Sequence, residues 1–267
     1  MIREPAVAGQ FYSANPEKLR IGIRSYLQPG IPLLEAKGVV APHAGYMYSG
    51  AVAGAVYNAV HLPSRFIILG PNHTGRGKPL SLYPSGQWRT PLGPMNIDEE
   101  LNRSLMRECS LLVEDAAAHL REHSIEVQLP FLQLLVDDPS IAAICIGTAD
   151  YASLEALGHA MARVVKLIAE PVLLVASSDM SHYESAEVAT RKDHFAIENM
   201  ERVDPQGLYR TIFEKDVSMC GFAPAVALLT ACRDLGASSG RLIRYATSGD
   251  VSGDFERVVG YAGMAVC

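Results

Sequence analysis

The sequence predicts a single α/β domain with a mostly parallel central sheet, antiparallel edge strands and helices on both faces. Short apolar runs of strand length alternate with longer helical stretches, which is the pattern of parallel strands joined by crossover helices. The chain has 267 residues, enough for one domain of this class, and no proline- or serine-rich linker or block of charge divides it. The expected domain therefore spans residues 1–267.

Each element is predicted from a local pattern. Apolar runs predict strands at 39–41, 66–69, 141–146, 172–176, 241–246 and 257–265. Apolar spacing and end signals predict helices at 49–60, 98–109, 123–136, 153–169, 186–200 and 222–235. Ser49 is the expected N-cap of the first helix, and Asp98 suits the amino end of the second because its charge complements the helix dipole. The turn Pro84-Ser85-Gly86 predicts a hairpin between strands at 80–83 and 87–90.

Composition limits the class of protein. Apolar residues make up 49% of the chain and charged residues 19%, which is ordinary for a soluble globular protein of the size of an enzyme. The net charge of −6 argues against a nucleic-acid partner, because phosphate binding needs clustered Lys and Arg. No basic-then-apolar leader opens the chain, and no apolar run reaches the roughly 20 residues of a membrane span. The 5 cysteines include no C-x-x-C pair, so we expect reduced thiols and a cytoplasmic protein without a membrane partner.

Three of the predicted strands are followed closely by a histidine: His43, His73 and His182. Parallel strands deliver the residues that follow them to one edge of the sheet, where such folds bind ligands. Taken singly, each histidine has a structural explanation. His43 would be a strand-end residue hydrogen-bonded to the backbone, and His73 would be an exposed loop residue. His182 would be an incidental neighbour of Asp179, which would cap a helix. The repetition favours a shared metal or proton-transfer site. Asp179, three residues before His182, is expected to orient its imidazole.

Two further positions have chemical character. Cys220 lies in a Gly- and Pro-containing loop that opens a helix, where the dipole would lower the pKa of its thiol; the alternative is a small buried apolar residue. His123 and Glu126 are spaced one helical turn apart and form either an acid–base pair or a solvated helix start. The remaining histidines are interpreted as surface or structural residues. The sequence contains no G-x-S-x-G elbow, Walker P-loop or H-E-x-x-H motif.

Six motifs, in order along nearly the whole chain, carry a family resemblance. They are Ala8-Gly9-Gln10-Phe11-Tyr12, Ala41-Pro42-His43-Ala44-Gly45-Tyr46, Leu69-Gly70-Pro71-Asn72-His73, Glu122-His123-Ser124-Ile125-Glu126, Ser177-Ser178-Asp179-Met180-Ser181-His182 and Cys220-Gly221. The chain resembles the Memo family, the AmmeMemoRadiSam system protein B type. That resemblance implies the fold of the class III extradiol ring-cleavage dioxygenases, which use non-haem Fe(II). It also implies a radical-SAM protein as a partner in prokaryotes.

The resemblance also assigns roles to residues. It implies that His43, His73 and Cys220 are metal ligands and that His182 is an acid–base residue, with Asp179 and His123 lining the same cavity. The expected cofactor is a divalent metal, with iron favoured and copper or zinc as alternatives. Ring-cleaving enzymes use a carboxylate where this chain has Cys220, and a softer thiolate argues against ring cleavage. Phe11 stands where eukaryotic members carry a Trp associated with peptide contact, which argues against carrying over their phosphopeptide binding.

Three functions are consistent with these residues. The first is a metal-dependent redox enzyme that acts through the two-His, one-Cys site, with His182 moving protons. The second is a non-catalytic module that binds a peptide or small molecule in a vestigial pocket. The third is zinc hydrolysis, which needs a metal-bound water with a pKa near ~7.

Overall fold

Parallel strands form the centre of the sheet, as the sequence predicts. In the computed structural model, which describes residues 1–28, 30 and 32–267, the described residues form a twelve-stranded mixed sheet. The strands are β1 (Ile2–Arg3), β2 (Gly38–Ala41), β3 (Arg65–Pro71), β4 (Leu80–Leu82), β5 (Gln87–Thr90), β6 (Gly93–Ile97), β7 (Val113–Glu114), β8 (Ser140–Ile146), β9 (Val172–Ser177), β10 (His182–Glu184), β11 (Gly240–Thr247) and β12 (Val258–Val266). Strands β8, β3, β9 and β2 are adjacent and parallel, and β12 pairs antiparallel with β2. The predicted α/β fold class is confirmed.

Helices cover both faces of this sheet. They are α1 (Pro16–Ser25), α2 (Tyr46–Asn58), α3 (Glu99–Glu108), α4 (Leu129–Leu135), α5 (Tyr151–Leu167), α6 (Ala186–Glu201), α7 (Pro205–Glu214), α8 (Phe222–Asp234) and α9 (Gly249–Ser252). Alternate residues of β3 enter different apolar cores: Ile67 and Leu69 pack with α3, α5 and α8, whereas Phe66 and Ile68 pack with α1, α2 and α4. The central strands are therefore apolar on both faces. Within the described ranges, no helix is long and apolar enough to cross a membrane.

The predicted hairpin is wrong. Strand β4 pairs with β7 and β8, whereas β5 pairs with β6 through the two-residue turn Pro91-Leu92. The sequence hides β6 because Pro94 lies within it, and proline normally demotes a strand prediction. The true hairpin therefore lies one turn later in the chain than predicted.

Two helix starts also differ from the predictions. Helix α2 begins at Tyr46, and Ser49 lies inside it, where its hydroxyl donates to the Ala44 carbonyl at 2.9 Å instead of capping. The helix predicted at 123–136 is shorter: a 3-10 turn covers Glu126–Gln128 and α4 covers Leu129–Leu135. His123 therefore precedes the helical segment. The helices α1, α7 and α9 and the short strands β1, β7 and β10 are not among the predicted elements.

A buried ion pair joins the amino-terminal segment to the segment that carries His123. The Arg3 guanidinium lies 2.7 Å from the Glu126 carboxylate, and both side chains are at most 1% exposed. Arg3 also donates to the carbonyl oxygens of His119 and Glu122. Glu126 accepts further hydrogen bonds from the backbone N–H groups of residues 6 and 7 and from Tyr12. The pair therefore fixes the amino terminus against the 119–126 segment.

Replacing Arg3 with Ala is expected to destabilise the protein by about 3–5 kcal/mol, because Glu126 would be left as a buried charge without its partner. The free energy of unfolding, measured by urea denaturation, tests this. Arg89→Ala is the control, since Arg89 and Glu4 form an ion pair in which both side chains are more than half exposed. That change should cost about 1 kcal/mol or less. Equal losses in the two variants would contradict the prediction.

Candidate metal centre

The six residues predicted for the site line one cavity of about 540 Å³. They are His43, His73, His123, Asp179, His182 and Cys220. Strands β2, β3 and β9 end at this edge of the sheet and are followed by His43, His73 and Asp179. Strand β10 begins at His182, and Cys220 lies in the loop before α8. The sheet edge predicted from the strand ends is thus the edge that carries the cavity.

Three imidazoles form the centre of this cavity. His43, His73 and His123 offer ring nitrogens that all lie within 4.8 Å of one another. The His73 and His123 rings stack, with centroids 4.7 Å apart, and the His43 ring meets both edge-on. The Cys220 Sγ lies 3.1 Å from His43 Nε2. Among the described residues, three imidazoles therefore form the cluster, and the Cys220 thiol lies beside one of them, His43, without belonging to the 4.8 Å group.

A buried carboxylate, Glu122, binds the His73 ring and the backbone of both His73 and His123. Its oxygens accept hydrogen bonds from the backbone N–H of His73 at 2.6 Å, from His73 Nδ1 at 2.9 Å and from the N–H groups of His123 and Ser124, both at 2.9 Å. Burial alone would raise the pKa of Glu122, but the hydrogen bond and charge of His73 lower it to about 2. An ionised carboxylate can only accept. The His73 Nδ1 therefore carries a proton in either charge state of the ring, and Nε2 has the lone pair when the ring is neutral. Burial lowers the pKa of His73, but the hydrogen bond and charge of Glu122 outweigh burial and raise it, so a metal ion at Nε2 competes with a proton.

Burial determines the charge state of the other two rings. His43 is 2% exposed, and burial, followed by the neighbouring imidazoles, lowers its pKa well below 6.5. Burial also lowers the pKa of His123. Both rings are therefore neutral at neutral pH, which is the state in which imidazole binds metals.

His182 is oriented by Ser218, in place of the predicted Asp179. The His182 backbone N–H donates to Ser218 Oγ at 2.8 Å, and His182 Nδ1 donates to the Ser218 carbonyl at 3.0 Å. Asp179 Oδ1 accepts from the backbone N–H groups of His43 at 2.7 Å and Ala44 at 3.3 Å, and burial raises the pKa of this carboxyl. Asp179 therefore anchors the β2 end while it lines the cavity. Because Nδ1 of His182 is the donor, Nε2 carries the lone pair.

Cys220 is placed by the glycine that follows it. A side chain at Gly221 would put a Cβ atom 2.3 Å from the Ser177 carbonyl, so only glycine lets this loop approach the end of β9. Burial, and then the negative charge of Asp179, raises the pKa of the Cys220 thiol. This direction is opposite to the predicted effect of the helix dipole, because desolvation of a thiolate outweighs the dipole of a partly buried helix start.

Aromatic side chains surround the rest of the cavity. The Phe11 ring lies 4.7 Å from the His123 ring, and Tyr261 forms part of the wall. Tyr183 is 68% exposed and has a backbone φ of 62°, a conformation that non-glycine residues rarely adopt.

Sequence reasoning missed Tyr183, Ser218 and Glu122. Of these, only Glu122 had a signal, as the acid directly before His123.

Comparison with known proteins shows the family to which this chain belongs. The family model described as Memo-like protein matches residues 3–265. A MEMO1 family protein of Methanopyrus kandleri is 43% identical, with 99% of this chain and 98% of the relative aligned. A MEMO1 family protein of Thermotoga neapolitana is 42% identical over 98% of each chain. An uncharacterized protein from Escherichia coli K12 shares the fold, with a TM-score of 0.58 and 12% identity over 86% of this chain and 100% of that one. The chain belongs to the Memo family.

Proposed function

We propose that this protein binds one divalent transition-metal ion through His43, His73 and Cys220 and uses it in a redox reaction. The observation that carries the proposal is the support behind His73: a buried carboxylate fixes Nδ1 as a donor and leaves Nε2 for a ligand. Metal-binding histidines almost always have such a partner on the second ring nitrogen. Iron is the expected metal, with copper and zinc as alternatives.

The donor chemistry fits a transition metal. Two neutral imidazoles suit iron, copper and zinc, and a thiolate adds a soft, strongly donating ligand. Cys220 lies beside His43 at 3.1 Å, and its thiol loses its proton when it becomes a ligand. A redox-active ion held here supplies one-electron chemistry. The thiolate in place of a carboxylate disfavours ring cleavage.

His182 is the proposed proton-transfer residue. Its Nδ1–H is held by the Ser218 carbonyl, so Nε2 is the atom that accepts or returns a proton at the cavity. Phe11 supplies apolar wall beside the His123 ring, and Tyr261 lines the same cavity.

A non-catalytic binding role is the second candidate. The exposed Tyr183 and the partly exposed Phe11 give the cavity an aromatic lining that a peptide or small molecule can contact. A radical-SAM system protein is the partner that the family resemblance implies. Binding of a ligand that persists after metal removal, with no turnover in the metal-loaded protein, would favour this role over the redox role.

Replacing His73 with Ala is expected to abolish stoichiometric metal binding, because one of two imidazole ligands and the partner of Glu122 are lost together. Elemental analysis of protein prepared without a histidine tag and reloaded with Fe(II) under anaerobic conditions measures this. His194→Ala is the matched control, since His194 is a helix residue whose Nδ1 contacts only a local carbonyl. The metal site is wrong if both variants keep the wild-type metal content.

The third ligand is decided by comparing Cys220→Ala with His123→Ala. We expect the thiol variant to lose at least about tenfold in Fe(II) and Zn(II) affinity and the imidazole variant to lose much less. His123 is close enough to compete for the same position, since its ring nitrogen belongs to the 4.8 Å cluster. Competition titration with a chelator gives both affinities. The reverse order would show that three histidines hold the metal.

Replacing Glu122 with Gln is expected to weaken metal binding by about 10–100-fold, because the amide presents a donor to the N–H groups of His73. The pH dependence of the free energy of unfolding should also change in this variant. The pKa of Glu122 falls from 4.5 to about 2 on folding, so its contribution is complete above pH 4.5 and is lost as the pH falls toward 2. Gln does not titrate, so that part of the acid destabilisation should vanish. Glu114→Gln, at an exposed strand position, is the control for both measurements.

A further inference from the structure

A buried hydroxyl lies behind the His43 ring, on the side away from Cys220. Ser177 Oγ is 2.9 Å from His43 Nδ1, 2.8 Å from Gln128 Nε2 and 2.6 Å from the carbonyl oxygen of Ser124. Ser177 and Gln128 are both 0% exposed, so water does not compete for these bonds. The hydroxyl therefore has three protein neighbours and a single proton to share among them.

The orientation of the Gln128 amide follows from its other neighbours. Its Nε2 lies 3.0 Å from the Pro42 carbonyl oxygen, which can only accept, and its Oε1 accepts from the Tyr57 hydroxyl at 2.8 Å. The opposite orientation would place two carbonyl oxygens against each other. The NH₂ group therefore faces Ser177 and donates to it.

The position of the Ser177 proton then follows. Gln128 Nε2 needs no proton from Ser177, whereas the Ser124 carbonyl at 2.6 Å can only accept one. If Ser177 donated to His43 instead, two oxygen atoms would face each other at that distance with no hydrogen between them. Ser177 therefore donates to Ser124 and accepts from His43, so Nδ1 of His43 carries a hydrogen in either charge state of the ring. In the neutral ring, the lone pair is on Nε2.

We infer that Ser177 and Gln128 form a positioning relay that fixes the Nδ1–H tautomer of His43 and directs its Nε2 lone pair at the cavity. Neither residue contacts the metal in this role; both act through His43. The expected effect on metal affinity rests on the proposed metal site. The tautomer of His43 is a property of the metal-free protein and does not depend on that proposal.

The relay makes the two histidine ligands unequal. His73 donates to an ionised carboxylate, Glu122, whereas His43 donates to a neutral hydroxyl. A charged acceptor makes an imidazole a stronger base than a neutral acceptor does. His73 is therefore the more strongly donating ligand, and His43 is the ligand whose orientation depends on a neutral network.

Ser177→Ala tests the relay in two independent ways. Nitrogen-15 NMR of the metal-free wild type should show His43 protonated at Nδ1, and the variant should lose this single-tautomer signature. Zn(II) affinity, measured by chelator competition, should fall by about 10–100-fold. Ser177→Thr, which keeps the hydroxyl, should restore both. Tyr57→Phe removes one hydrogen bond at the far end of the same network but leaves the acceptor of His43 in place, so it should change Zn(II) affinity by less than about threefold.

The outcomes separate the relay from the metal proposal. A His43 protonated at Nε2 in the wild type overturns the relay, whether or not the Ser177 variant folds. Wild-type Zn(II) affinity in a folded Ser177→Ala protein, or an equal loss in Tyr57→Phe, also overturns it. A wild type with the Nδ1–H tautomer that binds neither Fe(II) nor Zn(II) refutes the metal site and leaves the tautomer assignment standing.

Discussion

The structure of the site depends on the need to satisfy three buried polar side chains in one short segment. Glu122, Glu126 and Gln128 are each at most 1% exposed, and an unsatisfied buried polar group costs about 1–3 kcal/mol. Their partners come from three other parts of the chain: His73 after β3, the amino-terminal segment through Arg3, and Ser177 at the end of β9. This segment therefore sets the positions of the residues around the cavity.

Hydrogen bonds give three of the four histidine rings in the cavity a defined acceptor. A carboxylate holds His73, a hydroxyl holds His43 and a backbone carbonyl holds His182. In every case Nδ1 is the bonded atom, so the three rings present the same nitrogen, Nε2. A set of imidazoles fixed in this way is preorganised for a ligand, because the rings lose little freedom when the ligand binds.

Patterns local to the chain predicted the elements well where the tertiary structure agrees with them. Strands β3 and β9 are buried on both faces, so they stand out as continuous apolar runs. The hairpin prediction failed because Pro94 lies within β6, and a proline argues against a strand when only the sequence is considered. The helix predicted at 123–136 begins late because Pro130 has no N–H to donate back to the preceding turn, so a 3-10 turn at Glu126–Gln128 precedes α4.

The sequence alone determined the α/β class, the parallel centre and the common edge at which His43, His73 and His182 emerge. These follow from hydrophobic periodicity and from the alternation of strands and helices along the chain, which are local properties of the sequence. Only the tertiary structure decided that Glu122, Ser177 and Ser218 are the partners of those rings. The physical reason is separation along the chain: Glu122 lies 49 residues from His73, and Ser177 lies 134 residues from His43. No local pattern marks a hydrogen bond over that distance, because it exists only after the strands and the 119–128 segment have packed.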